Sequence, residues 1–296
     1  MRSASAILVL LVLCLFGVAP AADAQQVDLS GFWSVGTGLH EERPIRGDPG
    51  VEAGEYVGIP INEAGRQHAD AWVPAMHSLI EWQARPHPVT YSMRAPGPNM
   101  RWAPVIDPES QQTIAYTVQG LFGNAERVIW LDGRPHPSKY AEHLWQGFST
   151  GEYLPDGTLK VTTTHIKYSF IHRNGLPLSP YAVFTEYYRR HGDMLLGMLI
   201  IDDPIYLDEP MVRTSNWLQN PGQNLGTSRP FEAFDEIPAL DRGRVPANPL
   251  GFVDTRYAEL NELPLEAARG GAHTMYPEYA ERLKALMSDM AAGGEQ

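Results

Sequence analysis

A histidine in a predicted strand is the first residue of this chain with a type and position suited to acid–base chemistry. His165 lies in the segment TTTHIK at 162–167, and an extended strand would place it on one face with Leu159, Val161 and Thr163. That face is apolar to weakly polar, as expected of a ligand-facing interior, so His165 is a candidate general base near neutral pH. The alternative is a core histidine bonded to a threonine hydroxyl or a backbone carbonyl.

A glutamate in the next long predicted strand is the second candidate. Glu186 shares a face with Ala182, Phe184 and Tyr188. Desolvation among apolar neighbours would raise the pKa of this carboxyl and make it a candidate acid, base or orienting partner for the histidine. The alternative is a salt bridge on the outer surface, for which three basic residues are available: Arg189, Arg190 and Lys167.

A ligand pocket is predicted from aromatic and polar residues on the strands and on a proline-rich segment. Tryptophan and tyrosine side chains could line a pocket for a flat or hydrophobic molecule, although a large aromatic core explains them equally well. The predicted ligand-binding residues are Arg101, Trp102, His143, Trp145, Thr163 and Tyr188.

Metal and nucleotide sites have little support in the sequence. His136 and His143 flank a Pro-Ser-Lys-Tyr turn and, with His165 and Glu186, could supply metal ligands. No H-x-H or H-E-x-x-H spacing accompanies them, so a metal site is not predicted. There is also no glycine-rich phosphate loop between a strand and a helix and no G-x-S-x-G nucleophile motif, so we predict no cofactor.

The elements that must position these residues have the pattern of an antiparallel sheet. β-branched and aromatic segments alternate with turn sequences such as Asp132-Gly133 and Pro155-Asp156-Gly157. Short connections between successive strands predict a mainly β fold, an antiparallel up-and-down barrel with peripheral helices and long irregular loops. The predicted strands are Thr113–Val118, Arg127–Leu131, Trp145–Tyr153, Thr158–Tyr168, Tyr181–Arg190, Met194–Asp202 and Met211–Trp217.

One domain over 25–296 accounts for the rest of the chain. Residues 25–110 form an N-terminal wrap with a helix that begins after Asn62, followed by a proline-rich loop over 83–110 that fits a lid or rim. Residues 111–217 form the barrel core, and 218–296 a C-terminal wrap with helices over 255–268, broken at Pro264, and 277–291.

Charge and the N-terminal segment bound the compartment and the partners. The 296-residue chain has a net charge of −12, which argues against a nucleic-acid or anionic membrane partner. Residues 1–24 have the basic, apolar and Ala-x-Ala regions of a cleavable signal peptide. We therefore expect a periplasmic or secreted protein that is not inserted in a membrane after cleavage. Cys14, the one cysteine, would be removed with the leader.

The chain resembles a broad family of exported bacterial proteins of uncharacterised function. The matching words lie between Asp28 and Trp217 and include DLSGFW, VIWLDGRPHPSKYAEHLWQGFSTGEY, LKVTTTHIKYSFIHRNGLPLSPYAVFTEYYRRHGD and IIDDPIYLDEPMVRTSNW. The resemblance implies a lipocalin-like, calycin-type barrel and carries over no catalytic residue. Members often have a histidine where this chain has Phe148, and their turn after the central Ser-x-Gly is shorter than the one here over 152–159.

These observations favour an exported small-molecule-binding barrel for a hydrophobic or aromatic ligand, held inside the barrel or at its mouth beneath residues 83–104. The alternative is a cofactor-independent periplasmic enzyme, a lyase, isomerase or hydrolase, with His165 and Glu186 as its acid–base pair. A structural envelope protein without a ligand is the third possibility. The sequence leaves the ligand and the oligomeric state open.

Overall fold

A computed structural model of the chain describes residues 26–35, 53–73, 75–76, 87–91, 99–121, 125–171, 175–222 and 246–293. The predicted leader at 1–24 lies outside these ranges, as do residues 92–98 of the predicted lid. Within the described ranges, no helix combines the length and the apolar character needed to span a membrane.

The body of the protein is a closed barrel of nine strands in the order β1-β11-β10-β9-β6-β5-β4-β3-β2, so the predicted mainly β barrel is confirmed. Side chains alternate between the interior and the outer surface; in β6, for example, residues 159, 161 and 163 are buried. The barrel strands are β1 (Gly31–Val35), β2 (Met100–Ile106), β3 (Thr113–Leu121), β4 (Ala125–Trp130), β5 (Phe148–Tyr153), β6 (Leu159–Thr164), β9 (Val183–His191), β10 (Met194–Asp202) and β11 (Met211–Gln219).

One pair of strands departs from the predicted up-and-down arrangement. β4 and β5 are parallel, with Ile129 opposite Ser149 and Trp130 opposite Thr150, while the other barrel pairs are antiparallel. Parallel neighbours need a connection that returns along the barrel, and residues 131–147 provide it. We call residues 131–147 the crossover segment. The barrel therefore contains both parallel and antiparallel pairs of strands. The long connection makes the parallel pair possible, since a hairpin would join antiparallel strands.

The prediction that residues 83–110 form a loop is wrong for its second half. Met100–Ile106 is β2, which pairs with β1 and with β3. Pro104 is tolerated there because β1 pairs with β2 only as far as Trp102. Beyond Trp102, no described strand pairs with this edge of β2. A proline lacks the backbone N–H, and on an unpaired edge this removes no hydrogen bond between strands. Arg101 and Trp102 consequently belong to the barrel wall and not to a lid.

Trp33 occupies the end of the barrel at which β9 finishes. It is fully buried, its indole N–H donates to the carbonyl of Leu29, and the Arg190 guanidinium lies 5.4 Å from its ring centre. Arg190 also donates to the carbonyl of Asp28, and the Tyr153 hydroxyl donates to that of Val27. The segment before β1 is thus held across this end of the barrel, next to the buried Trp33.

A small hairpin covers the opposite end. The connection from β6 to β9 contains β7 (Ser169–Phe170) and β8 (Pro177–Leu178), which pair with each other and not with the barrel. Ile171, Leu176 and Leu178 are buried in the same core as the barrel interior. The turn of the hairpin lies against Trp72, since a Cβ added to Gly175 would come within 2.3 Å of the Cβ of that tryptophan.

Within the described ranges four α-helices lie outside the barrel, and the predicted helix positions are confirmed there. They are α1 (Glu63–Ala71), α2 (Arg256–Leu260), α3 (Leu265–Ala268) and α4 (Tyr279–Gly293). The Asn62 side chain caps α1 by accepting from the backbone N–H of Gly65, as its residue type predicts. The apolar residues at helical spacing in α4 are only partly covered: Tyr279, Leu283 and Leu286 are half-buried, while Met287 and Met290 are 40% and 44% accessible.

Candidate functional site

The structure divides the predicted site residues between two places on the barrel. Trp102, Thr163, Glu186 and Tyr188 lie in the interior. The remaining predicted residues lie outside it, on the outer face or on the crossover segment: Arg101, His143, Trp145 and His165.

The interior group is built on an ion pair that crosses the barrel. Arg127 of β4 donates to both carboxylate oxygens of Glu186 of β9, with Nη1–Oε2 and Nη2–Oε1 distances of 2.7 and 2.8 Å. Two strands, β5 and β6, separate these residues in the sheet, so the pair spans the interior. Arg127 is 3% exposed and Glu186 is completely buried. Neither of the two expectations for Glu186, a histidine partner or a surface salt bridge, describes this arrangement.

Hydroxyl groups complete the hydrogen bonding of the glutamate. The Tyr188 hydroxyl donates to Oε1 over 2.7 Å, and the Thr163 hydroxyl lies 3.5 Å from Oε2. Thr163 is also bonded to Ser149 of β5 over 2.8 Å. Burial, and then the charge of Glu186, raise the pKa of Tyr188 well above its ordinary value, so this phenol stays protonated and serves as a donor.

Aromatic rings surround the ion pair. Trp102 contacts Tyr188 edge-on with ring centres 4.8 Å apart, and it contacts Tyr116 in the same way at 5.6 Å. Trp217 and Phe184 are buried in the same core. A charge pair in such surroundings is desolvated, and each unsatisfied polar atom beside it carries a larger cost than it would at the surface.

Nε of Arg127 and the hydroxyl of Ser215 on β11 are among the buried polar atoms that have no hydrogen-bond partner within the described residues. Ser215 lies opposite Gly197 of β10, which in turn lies opposite Tyr188. Buried N–H and O–H groups are nearly always bonded in proteins, so these two atoms have unused hydrogen-bonding capacity in the interior.

The outer group is a row of hydrogen bonds between histidines and threonines. His136, on the crossover segment, is bonded through Nδ1 to the Thr164 hydroxyl over 2.7 Å and through Nε2 to the Thr150 hydroxyl over 2.8 Å. The Thr164 hydroxyl is also 2.7 Å from Nδ1 of His165. Nε2 of His165 is 2.9 Å from the carbonyl of Ser138. We call Thr150, His136, Thr164 and His165 the histidine chain.

His165 reaches the outer side because of its backbone. β6 ends at Thr164, and His165 has a φ of +60°, in the left-handed region. Strand alternation therefore does not extend to this residue, and its ring turns toward the crossover segment. Both ring nitrogens are already bonded, and no hydrogen bond joins His165 to Glu186 in the described part of the chain.

His143, Trp145 and Arg101 lie apart from the interior. Nδ1 of His143 donates to the carbonyl of Ile166 over 2.9 Å, and its ring centre is 5.3 Å from that of His165. Trp145 lies beneath the ammonium of Lys167 at 5.2 Å. Arg101 is exposed, with its guanidinium 5.5 Å from the ring of Phe32 on the outer face.

Arg127 is the site residue that sequence reasoning missed. It was assigned only as the first residue of a predicted strand, although alternation puts it on one face with Ile129, which is fully buried. A basic residue on the apolar face of a barrel strand is a signal that a buried partner exists. The sequence pattern does not identify that partner, Glu186, because it lies 59 residues away in the chain.

A search for metal-binding clusters and comparisons with known proteins assign no further role to these residues. Among the residues that the structure describes, no three His, Cys, Asp or Glu side chains are placed to hold one metal ion. No family model, curated protein or solved structure matches the chain.

Proposed function

We propose that this protein is an exported, lipocalin-like barrel that binds one small molecule in its interior, beside Arg127 and Glu186. The ligand has a flat or apolar body and a hydrogen-bond acceptor such as a carbonyl, hydroxyl or ether oxygen. The observation that carries the proposal is the buried Nε–H of Arg127, which has no partner among the described residues inside an aromatic-walled barrel.

At the Arg127 guanidinium itself, the existing ion pair favours a neutral acceptor over an acid. The Arg127 guanidinium is already neutralised by the two-point contact with Glu186. An additional carboxylate at Nε would be a buried charge close to that of Glu186, which is costly in a low-dielectric interior. A neutral oxygen satisfies the donor without that cost.

The aromatic rings supply the surface for the rest of the ligand. Trp102 and Tyr188 are buried and in edge contact with each other beside the ion pair, so the ligand body would pack in aromatic surroundings. Ser215 provides a second hydrogen-bonding group across the strands from Tyr188. The ligand would thus be oriented by two polar contacts and held mainly by apolar contact, as in most small-molecule sites.

An acid–base enzyme based on His165 and Glu186 is not proposed. Glu186 uses both oxygens on Arg127, Tyr188 and Thr163, and His165 uses both ring nitrogens on the outer side. A general base must have hydrogen-bond access to the proton that it removes. The two side chains face opposite sides of the barrel wall and do not share a substrate position.

Native mass spectrometry of protein purified from the compartment to which it is exported tests the proposal. The wild-type protein is expected to carry a reproducible additional small-molecule mass. The double variant Arg127→Met/Glu186→Leu, which removes both charges together, is expected to lose that mass while keeping the circular dichroism of a β-barrel. Arg189→Met, on the outer side of β9, is the matched control and is expected to keep it.

Two outcomes contradict the proposal. One is wild-type protein that is reproducibly empty; the other is an adduct that persists unchanged in the double variant. The first would favour a purely structural role for the barrel. The second would move the ligand to another part of the molecule.

A further inference from the structure

The histidine chain has a single hydrogen-bond direction when its two rings are neutral. The Ser138 carbonyl can only accept, so Nε2 of His165 carries the proton and Nδ1 of the same ring is an acceptor. The Thr164 hydroxyl must then donate to that Nδ1 and accept from Nδ1–H of His136. His136 is left with Nε2 as an acceptor for the Thr150 hydroxyl. One carbonyl thus determines the tautomers of both histidines.

This chain tolerates at most one added proton. If His165 is protonated, the Thr164 hydrogen must turn toward His136, which then changes its tautomer and donates to Thr150. If His136 is protonated as well, the Thr164 oxygen receives an N–H from both rings and its own hydrogen has no acceptor in the chain. Two imidazolium ions would then share one hydroxyl, and their repulsion would be screened little by solvent because both rings are partly buried.

In the described part of the chain, no carboxylate is hydrogen-bonded to these histidines to stabilise a second charge. Within the described residues, the hydrogen bonds of His136, His143 and His165 go only to hydroxyl and carbonyl oxygens. Burial, followed by the proximity of His165, lowers the pKa of His136. The charged side chains on the crossover segment and the neighbouring strands are Asp132 with Arg134, Lys139, Glu142, Glu152 with Lys160, Lys167, Glu126, and Asp156 with Arg189.

The same hydrogen bonds attach the crossover segment to the barrel. Backbone bonds reinforce them, from the N–H of Leu144 to the carbonyl of His165 and from the N–H of Lys167 to the carbonyl of Leu144. His143 adds the bond to the carbonyl of Ile166. Three imidazole rings therefore lie at the contact between this segment and the end of β6.

We propose that the histidine chain makes the attachment of the crossover segment pH-dependent, with the segment released from β5 and β6 as the pH falls through the ordinary range of histidine. After release, His136 and His165 can each bind a proton, whereas the attached form takes up at most one on the histidine chain. Acid therefore favours release, by about tenfold in the equilibrium for each additional proton and pH unit. This inference goes beyond ligand binding and does not depend on it.

Release of the crossover segment would affect the interior site through strands β5 and β6. Thr150 and Thr164 point outward to the histidine chain, while their neighbours Ser149 and Thr163 point inward, and Thr163 approaches Glu186. A change on the outer face of β5 and β6 therefore acts on strands that also form the inner site.

Hydrogen exchange of the full wild-type chain between pH 7.5 and 5 tests the proposal. The reporters are the amides of Leu144, Gly147 and Lys167, which bond within or to the crossover segment. After correction for the intrinsic pH dependence of exchange, their protection is expected to fall below about pH 6.5, with a slope that approaches about tenfold per pH unit for the one additional proton. Amides paired between β9 and β10 are expected to keep their protection. Equal, pH-independent protection of both sets would overturn the inference.

A double variant separates the histidine chain from other titrating groups. In His136→Gln/His165→Gln the crossover amides are expected to lose their extra pH dependence, and in His191→Gln, an exposed position at the end of β9, to keep it. If the double variant does not fold, imidazole NMR titration of the wild-type chain decides. If the His136 and His165 rings both titrate at ordinary pKa values while the crossover amides stay protected, the proposal is wrong.

Discussion

Arg127 and Glu186 place opposite charges in the buried interior of the barrel, and their contribution to stability depends on both being present. Arg127→Met would leave a buried carboxylate with its hydroxyl donors alone. We expect a loss of about 3–5 kcal/mol in the free energy of unfolding, because removing one partner of a buried pair strands the other charge. Urea unfolding followed by tryptophan fluorescence measures it.

The double variant Arg127→Met/Glu186→Leu is expected to recover most of that loss, because two apolar side chains replace two desolvated charges. Arg189→Met, which breaks an exposed pair with Asp156, serves as the control and is expected to cost less than about 1 kcal/mol. A double variant as unstable as Arg127→Met alone would show that packing around the pair, and not its charge, dominates.

At the scale of the elements, Gly147 is the position that lets the crossover segment approach β6. It has a φ of +66°, and an added Cβ would lie 2.5 Å from the carbonyl oxygen of Thr164. Gly147→Ala is expected to cost about 1–2 kcal/mol for the left-handed backbone and a further ~1–3 kcal/mol for the contact. Thermal unfolding with circular dichroism provides the comparison.

Gly133 in the same segment separates the two contributions. Its φ is +73°, but an added Cβ would meet nothing within 4 Å. Gly133→Ala should therefore show the backbone cost alone. Equal losses in the two alanine variants would mean that the close approach at Gly147 relaxes without energetic consequence.

At the scale of the whole molecule, Asp70 joins the C-terminal part of the chain to helix α1. It is 5% exposed and accepts hydrogen bonds from the Tyr56 hydroxyl and from both terminal nitrogens of Arg269, at 2.7–2.9 Å. Asp70→Asn is expected to lower stability by about 2 kcal/mol, because charge-assisted bonds contribute more than neutral ones. Limited proteolysis should then cut residues 246–293 sooner, while the barrel strands stay protected.

Glu266→Gln is the matched control for that prediction, since the Glu266–Arg282 pair is exposed on both sides. We expect it to leave the rate of cleavage within about twofold, as exposed pairs contribute little. Faster cleavage of the barrel than of the tail in Asp70→Asn would show that Asp70 supports the core and not the attachment of the tail.

Local patterns predicted much of the fold and only part of the site. The interior positions of β6 and β9 follow from strand alternation, and Thr163, Glu186 and Tyr188 lie inside as that alternation predicts. Asn62 as a helix cap and the break at Pro264 are also local, because capping and proline geometry act within a few residues. β2 was missed because the prolines around it obscured a strand whose exposed edge tolerates one of them.

The sequence by itself determined a mainly β chain with apolar inward faces, since alternation is a property of neighbouring residues along one strand. Only the tertiary structure decided that β4 and β5 run parallel, that Arg127 meets Glu186 across the interior, and that His165 turns outward. The physical reason is that closure of the barrel sets which strands face each other and in which register. A single backbone angle at the end of β6 then decides on which side of the wall the histidine lies.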